Sequence, residues 1–150
     1  MTWTDLLSPS LPYYLNAWGN FRGPRKVPSV SAFPDFMKTV ATDFVAIVDV
    51  SGKRECTFLL VGRGMTTLYP DCHNVTRFAD LKPVTLRLTI SRPIFEVITT
   101  RQPATRRSTY RVSDNETLYE QLYLPFVDKN FEVRRIIIIA DGHNLTGSTE

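Results

Sequence analysis

The 150-residue chain is long enough to form one domain with its own core, since folding a chain of this size buries roughly 70% of the surface exposed when unfolded. A hydrophobic fraction of 43% and a charged fraction of 22% are typical of a soluble globular protein. No apolar run approaches the roughly 20 residues of a membrane-spanning helix. The N-terminal residues lack a basic start and a small-residue cleavage site, so a cytoplasmic protein is expected. A net charge of +3 favours a solvated arginine-rich surface over a nucleic-acid interface.

The first half of the chain predicts an aromatic helix followed by a β-hairpin. Apolar side chains recur at helical spacing before Gly23-Pro24, and two later apolar runs flank a turn at Gly52-Lys53. In chain order the predicted elements are a helix at 9–23, an extended segment at 24–30, a short helical turn within 31–40, and strands at 43–51 and 55–63.

The second half predicts one longer helix and three strands. Residues 64–83 are too irregular for a single helix and are expected to form short helical turns joined by loops. The helix at 85–100 contains Pro93, which either kinks it or marks the first turn of a shorter helix capped by Ser91. The remaining elements are strands at 104–112, 116–127 and 131–140 and a polar tail at 143–150.

The last two predicted strands are apolar on both sides. Because side chains alternate across a strand, Leu122 and Leu124 point to one face of the sheet, whereas Tyr119 and Tyr123 point to the other. Four consecutive isoleucines at 136–139 extend this pattern to the last strand. A sheet with one wet face would be apolar on one side only, so both faces of this sheet are expected to be covered.

The strand at 104–112 is rich in arginine instead. Arg106, Arg107 and Arg111 are typical of an edge strand that must avoid pairing with another chain. The last strand is the most apolar and belongs in the middle. The sequence therefore predicts an α+β domain around one five-stranded antiparallel sheet. The short helices and the longer helix would cover one face, and the N-terminal helix, through its aromatic residues, would cover the face of Tyr119 and Tyr123.

With these elements in place, the chain resembles PAS domains, and more closely a group of short bacterial PAS-like proteins. The order of two strands, a helical bridge and three strands carries the resemblance over roughly residues 12–140. The resembling residues are Trp18, Val27-Pro28-Ser29, Phe33, Val48-Asp49, Phe58-Leu59-Leu60-Val61-Gly62, Leu68-Tyr69, Tyr119-Glu120 and Leu124-Pro125. The chain departs from the family at Cys72-His73-Asn74-Val75-Thr76, where the family tends to have a glycine. The resemblance implies a PAS-like domain at 31–142, preceded by a helical cap and linker at 1–30.

The resemblance also implies a sensory or regulatory module without chemistry of its own. Such a module fills the space between the middle helix and the sheet with side chains or binds a small apolar ligand there, and it pairs with a second copy or a regulatory protein partner. The predicted ligand-pocket residues are Phe58, Leu60, Ile94, Ile98, Leu122, Leu124 and Ile137. The predicted dimer or cap contacts are Tyr14, Trp18, Phe21, Tyr119 and Tyr123.

No cofactor is expected from the resemblance. Haem-binding PAS domains usually offer a histidine from the middle helix, and the sequence has no histidine between residues 74 and 142. Flavin-binding light sensors carry a cysteine within Asn-Cys-Arg, whereas Cys72 lies within Pro-Asp-Cys-His.

Three other kinds of chemistry remain as alternatives. Cys72-His73 could be a metal-binding or nucleophilic pair, but two adjacent loop residues do not complete a zinc site, and His143 lies in the polar tail. Asp49 and Glu120 lie within apolar runs, where a raised pKa could support acid–base catalysis in a small cavity enzyme. A salt-bridged structural role is favoured for both carboxylates. A weak nucleic-acid binder is the third alternative.

Overall fold

One antiparallel sheet with helices on both faces organises the residues that the computed structural model describes. Those residues are 8–23, 26–40, 42–66, 68–69, 72–112 and 114–141. At positions 42, 110–112 and 115 only the backbone is described. Within them, the helices are α1 (Ser10–Gly19), α2 (Phe33–Met37) and α3 (Val84–Thr100). The strands are β1 (Val45–Val50), β2 (Cys56–Val61), β3 (Thr76–Arg77), β4 (Ala104–Val112), β5 (Asn115–Val127) and β6 (Val133–Ala140).

The strand order is β3-β2-β1-β6-β5-β4, with antiparallel pairing between neighbours. The isoleucine strand β6 lies in the middle and the arginine-rich strand β4 forms an edge, which confirms both predictions. The sixth strand, β3, was not predicted. Its two residues pair with Thr57 and Phe58 of β2, and so short a strand has no periodicity that a sequence pattern can reveal.

Asp128 turns the chain between β5 and β6. Its Oδ1 accepts hydrogen bonds from the backbone N–H groups of Asn130 at 2.8 Å and Glu132 at 3.0 Å, and its Oδ2 accepts one from Arg134 Nε at 2.7 Å. The bond from the Glu132 N–H is the main cause that lowers the pKa of the Asp128 carboxyl. Side-chain bonds of this kind to nearby backbone explain why aspartate initiates turns. The hairpin is therefore held by its own turn residues.

The two faces of the sheet are covered by different helices. Directly paired residues of antiparallel strands lie on the same face. One cross-strand row consists of Leu124, Ile137, Ile47 and Leu60. On this side, the N–H of Ser8, just before α1, donates a hydrogen bond to Oε1 of Glu120 at 2.6 Å. We call this side the α1 face.

The opposite side is the α3 face. One of its cross-strand rows consists of Pro125, Ile136, Val48 and Phe58. Arg106, which pairs with Gln121 on this side, donates through Nη1 to the carbonyl oxygen of Thr89 in α3 at 3.4 Å. The isoleucines at 136–139 are at most 3% exposed. Both faces are therefore covered, as the sequence predicts.

Aromatic side chains place α1 and α2 on the α1 face. Trp18 Nε1 donates a hydrogen bond to the carbonyl oxygen of Pro125 at 2.9 Å. The Phe36 ring contacts the rings of Phe126 and Phe21, with centroid separations of 5.7 Å and 6.1 Å. Burial of an aromatic side chain contributes roughly 2–3 kcal/mol. Packing of these rings, together with one directional bond from the indole, fixes the N-terminal helix on the sheet.

The predicted pairing of α1 with Tyr119 and Tyr123 is wrong. Both tyrosines lie on the α3 face, whereas Leu122, Leu124 and Phe126 lie on the α1 face. Alternation along a strand separates two sets of side chains, but it does not say which helix covers which set.

Helix α3 continues through Pro93. A proline has no backbone N–H, so the carbonyl four residues earlier, that of Thr89, lacks its helical donor. Arg106 of β4 supplies a donor to that carbonyl at 3.4 Å. Ser91 is buried within the helix and does not cap it, so the alternative of a shorter helix beginning there is wrong. The hydrogen bond from Arg106 links the edge strand to the helix that covers it.

Helix α1 shares the core of the sheet. Leu11 and Trp18 belong to the same buried cluster as the isoleucines of β6. The boundary between a cap at 1–30 and a domain at 31–142 stays a prediction, and the tail at 143–150 lies outside the described residues.

Replacing Trp18 with Phe removes the hydrogen bond to the Pro125 carbonyl but keeps a buried aromatic ring in α1. The variant leaves a buried carbonyl without its donor, so we expect the free energy of unfolding to fall by roughly 1–3 kcal/mol. Urea denaturation followed by circular dichroism measures this change. Tyr13→Phe is the matched control, because Tyr13 lies in the same helix and is 55% exposed. Equal free energies of unfolding for Trp18→Phe and the wild type would show that the bond does not hold α1.

Candidate functional site

The space between α3 and the sheet is filled at its centre by side chains. Phe58, Ile94 and Ile98 are all buried there. The Phe58 ring contacts the rings of Tyr69 and Phe78, with centroid separations of 5.4 Å and 4.8 Å. Close packing of this kind leaves little room for a ligand at the centre of the α3 face.

A buried polar network lies on the α3 face. Gln121 Nε2 donates a hydrogen bond to the Tyr69 hydroxyl at 2.8 Å, and the Tyr123 hydroxyl donates one to Gln121 Oε1 at 2.9 Å. Burial raises the pKa of both phenols, so both remain protonated at neutral pH. A buried polar network whose members are hydrogen-bonded favours one arrangement of the core. The network thus fixes the helical bridge, through Tyr69, against β5.

The seven predicted pocket residues do not line one cavity. Phe58, Ile94 and Ile98 lie between α3 and the sheet. The other four lie on the α1 face: Leu60, Leu122, Leu124 and Ile137. The sheet separates the two groups, so only the first group can contact a ligand held against α3. Ligand binding by that group stays a prediction.

A cleft of ≈ 330 Å³ opens at the margin of the α3 face, beside β2. Cys56, Phe78 and Ser91 line its buried part. Leu88 and Phe95 of α3 also line it, although they are 57% and 46% exposed. We call this the apolar cleft. Its volume lies at the lower end of the range for small-molecule sites.

The thiol of Cys56 is chemically quiet. Burial, followed by the negative charge of Asp49, raises its pKa to about 12. The thiol is the nucleophile only when it is ionised, so Cys56 stays a protonated apolar side chain at neutral pH. The apolar cleft therefore offers contact surface and not a reactive group.

The alternative of a metal or nucleophilic site at Cys72-His73 finds no geometric support. Cys72 is buried, His73 is exposed, and the His73 backbone N–H donates to Thr76 Oγ1 at 3.0 Å. Over the described ranges, no group of three or more histidine, cysteine, aspartate or glutamate residues could hold a metal ion. His143 lies outside these ranges. In the same part of the chain, no helix is long and apolar enough to cross a membrane.

The two candidate carboxylates make ion pairs. Glu120 is 1% exposed, and its Oε2 accepts from Arg107 at 3.1 Å through Nε and at 2.8 Å through Nη2. Asp49 is partly exposed and lies 3.4 Å from Arg135 Nη2. A buried carboxylate that accepts two hydrogen bonds from one guanidinium is typical of a structural ion pair. The geometry favours the structural role for both.

The edge-strand interpretation of the three arginines needs correction at Arg107. Its guanidinium neutralises the buried Glu120, so it is a structural partner and not only a guard of the edge. Arg106 links β4 to α3 through Thr89. The side chain of Arg111 lies outside the described residues.

Sequence reasoning missed two features of the site, the burial of Gln121 and its hydrogen bond to Tyr69. A glutamine within the apolar run of β5 was a visible signal that Gln121 is buried and needs polar partners. Its partner Tyr69 is 52 residues away in the chain, and no local pattern links the two.

Comparison with known proteins adds structural neighbours. No family model matches the chain, and no curated protein matches it. The PAS domain of BvgS from Bordetella pertussis shares 16% identity at a TM-score of 0.44, over 74% of this chain and 85% of that one. The PAS domain of a protein from Colwellia psychrerythraea shares 17% identity at a TM-score of 0.44, over 69% of this chain and 92% of that one. An RNA-binding light-oxygen-voltage receptor shares 12% identity at a TM-score of 0.42, over 67% of this chain and 29% of that one.

The topology defines the class of domain. Two strands, a helical bridge that ends in α3, and three further strands form one antiparallel sheet with β6 in the middle. This is the PAS-like arrangement that the resemblance implies. The chain therefore has a PAS-like fold.

Removing the guanidinium of Arg107 should show that Glu120 is a structural carboxylate. Arg107→Ala leaves a buried charge without its partner, so we expect the free energy of unfolding to fall by about 2–4 kcal/mol. Adding Glu120→Gln removes the charge and should restore part of the loss. Urea denaturation of the single and double variants measures both effects. Arg106→Ala is the control, because its hydrogen bond to α3 is exposed. A loss in Arg107→Ala no larger than that in Arg106→Ala would contradict this role.

Proposed function

We propose that the chain is a non-enzymatic sensory or regulatory domain, and that its signal is a small apolar ligand bound in the apolar cleft. The observation that carries the proposal is the lining of this cleft. Leu88 and Phe95 expose apolar surface beside the buried side chains of Cys56 and Phe78. A bound apolar molecule would remove that surface from water, at roughly 25 cal/mol for each square ångström covered.

The polar residues at the cleft support a preference for uncharged ligands. Ser91 offers a buried hydroxyl at the lining, and charged groups lie at the rim. Two of the rim arginines are already engaged: Arg77 pairs with Asp80 at 3.1 Å, and Arg87 donates to the Ala79 carbonyl at 3.3 Å. A neutral apolar molecule with one group that can bond to a hydroxyl fits this lining.

Side-chain bonds connect the cleft to the other face of the sheet. Helix α3 forms one wall of the cleft and is linked to β4 through Arg106 and Thr89. Strand β4 pairs with β5, whose Pro125 carbonyl accepts the bond from Trp18 of α1. A displacement of α3 by a ligand would therefore act on α1 through two strands.

We infer that α1 is the contact with a second copy of the chain or with a regulatory protein. Tyr13 is 55% exposed and its ring lies 5.2 Å from that of Tyr14, so the outer side of the helix carries an aromatic pair. Exposed aromatic residues of this kind are favoured in protein interfaces. Its inner side is held on the sheet by Leu11 and Trp18.

A neutral fluorescent probe tests the apolar cleft. N-phenyl-1-naphthylamine becomes fluorescent when it leaves water, and we expect saturable binding to the full chain. Phe95→Ala removes an exposed wall of the cleft and should weaken binding at least fivefold, with little effect on stability. Val84→Ala is the control, because Val84 is a similarly exposed apolar residue of α3 that does not line the cleft. Equal affinities for the two variants, or no saturable binding at all, would overturn the proposal. Native mass spectrometry of protein from its own host then gives the mass of the natural ligand.

A further inference from the structure

A second cleft lies between the C-terminal ends of α1 and α3. Its volume is ≈ 810 Å³, well within the range of small-molecule sites. Trp18 and Arg22 line it from the end of α1, Lys26 from the segment that follows, Arg101 from the end of α3, and Phe131 from the β5–β6 turn. We call it the basic cleft. It shares no lining residue with the apolar cleft.

The basic cleft lies where the pairing of β5 with β4 ends and the N-terminal segment takes the place of β4 beside β5. Strand β4 pairs with β5 only as far as Tyr123, whereas Ser29 of the N-terminal segment bridges Val127. Between these two positions, the carbonyl of Pro125 accepts the bond from Trp18. Elements from both faces of the sheet therefore meet around this cleft.

The charged lining residues are all cationic in the described part of the chain: Arg22, Lys26 and Arg101. Helix C-termini favour cations, which accounts for Arg22, whose Nε donates to the Gly19 carbonyl at 3.2 Å, and for Arg101. It does not account for Lys26, which belongs to neither helix end. Glu132 lies 3.4 Å from Arg101 Nη2, but its side chain is 51% exposed and outside the lining. The described lining thus carries three positive charges and no negative one, and Glu132 offsets part of the charge of Arg101 from outside it.

Three lining residues adopt a backbone conformation that favours glycine. The φ angle is 69° at Lys26, 57° at Arg101 and 64° at Phe131. Arg101 follows α3 at the position where glycine is the usual residue, and a positive φ is rare for a bulky residue such as phenylalanine. Glycine at these positions would relieve the strain. Strained residues cluster at functional sites, so their presence around one cleft indicates that these side chains contact a ligand.

Arg101 and Phe131 form a joint surface in the cleft. The guanidinium lies over the ring, with 5.5 Å from Cζ to the ring centroid, and Nε donates to the Phe131 carbonyl at 2.6 Å. The ring itself is 39% exposed. A flat aromatic face next to a fixed positive charge is suited to a ligand that is both flat and anionic.

We propose that the basic cleft binds a small organic anion that carries a carboxylate or a phosphate on a flat apolar group. Arg22, Lys26 and Arg101 bind the anionic group, and the Phe131 ring contacts the flat group. This site is independent of the ligand proposed for the apolar cleft.

Titration of the ¹⁵N-labelled full chain tests the proposal, with phenyl phosphate, benzoate, inorganic phosphate and benzyl alcohol as probes. The indole signal of Trp18 is identified with Trp3→Phe, since the chain has two tryptophans. We expect saturable shifts of this signal and of the Arg101 and Phe131 amides with phenyl phosphate or benzoate. Inorganic phosphate should bind at least tenfold more weakly, and benzyl alcohol should not bind. If phenyl phosphate binds more tightly than benzoate, the site prefers a phosphate group. If benzoate binds more tightly, the site prefers a carboxylate.

Glycine variants separate ligand binding from structure. Arg101→Gly and Phe131→Gly relieve backbone strain but also remove the contact between the guanidinium and the ring, so their melting temperatures should stay within about 2–4 °C of that of the wild type. Their affinity for the aromatic anion should fall at least tenfold. Val75→Gly is the matched control, because Val75 has φ 64° just before β3, is 74% exposed and lines neither cleft. Its affinity should be unchanged. Lys26→Ala removes an exposed cation without touching the core and should weaken binding at least threefold.

Three results would overturn the proposal. The first is no saturable shift with either aromatic anion. The second is an unchanged affinity in Lys26→Ala and Arg101→Gly together with a lower melting temperature in Arg101→Gly, which would make Arg101 only a structural link to the β5–β6 turn. The third is binding of a hexaglutamate peptide without binding of the small anions, which would make the cleft a protein interface.

Discussion

The β5–β6 hairpin must be covered on both of its faces, and the other elements are arranged to meet this requirement. Its four isoleucines alternate between the two faces and are almost completely buried. Removal of this apolar surface from water is the dominant favourable term for a domain of this size. One helical layer cannot cover both sides of a sheet, so α1 and α2 cover one face, and α3 with the preceding bridge covers the other.

Polar contacts then determine how each layer sits on the sheet. Trp18 bonds to the Pro125 carbonyl, Arg107 to the Glu120 carboxylate, and Arg106 to the Thr89 carbonyl that Pro93 leaves without a donor. The net contribution of such a bond to stability is modest, although removing one partner leaves a buried group unpaired at a larger cost, and each bond is directional where apolar packing is not. Where the covering is incomplete, the structure leaves the apolar cleft at the margin beside β2 and the basic cleft between the helix ends. Both proposed sites are therefore consequences of how the central hairpin is covered.

The elements could be predicted from the sequence because each has its own periodicity. The alternation in β5, the run 136–139 and the apolar stripe of α3 are local patterns, and the central and edge positions of β6 and β4 follow from their composition. The assignment of helices to faces could not be predicted, since both Tyr119 and Leu122 can be buried beneath a helix and the choice depends on tertiary packing. For the same reason, the predicted pocket set combined Phe58 from one face with Leu124 from the other.

The most direct test of the central claim is to remove residues 1–23, which takes away α1 while leaving the sheet and α3. If α1 covers the hairpin, the truncated chain exposes Leu122 and Leu124, which are fully buried in the full-length chain, to water. Light scattering and thermal denaturation of the truncated and full-length chains, at the same concentration, compare their mass and stability. The account predicts a lower melting temperature together with aggregation or a changed oligomeric state. A truncated chain that remains soluble, with the same oligomeric state and the same melting temperature as the full-length chain, would contradict it.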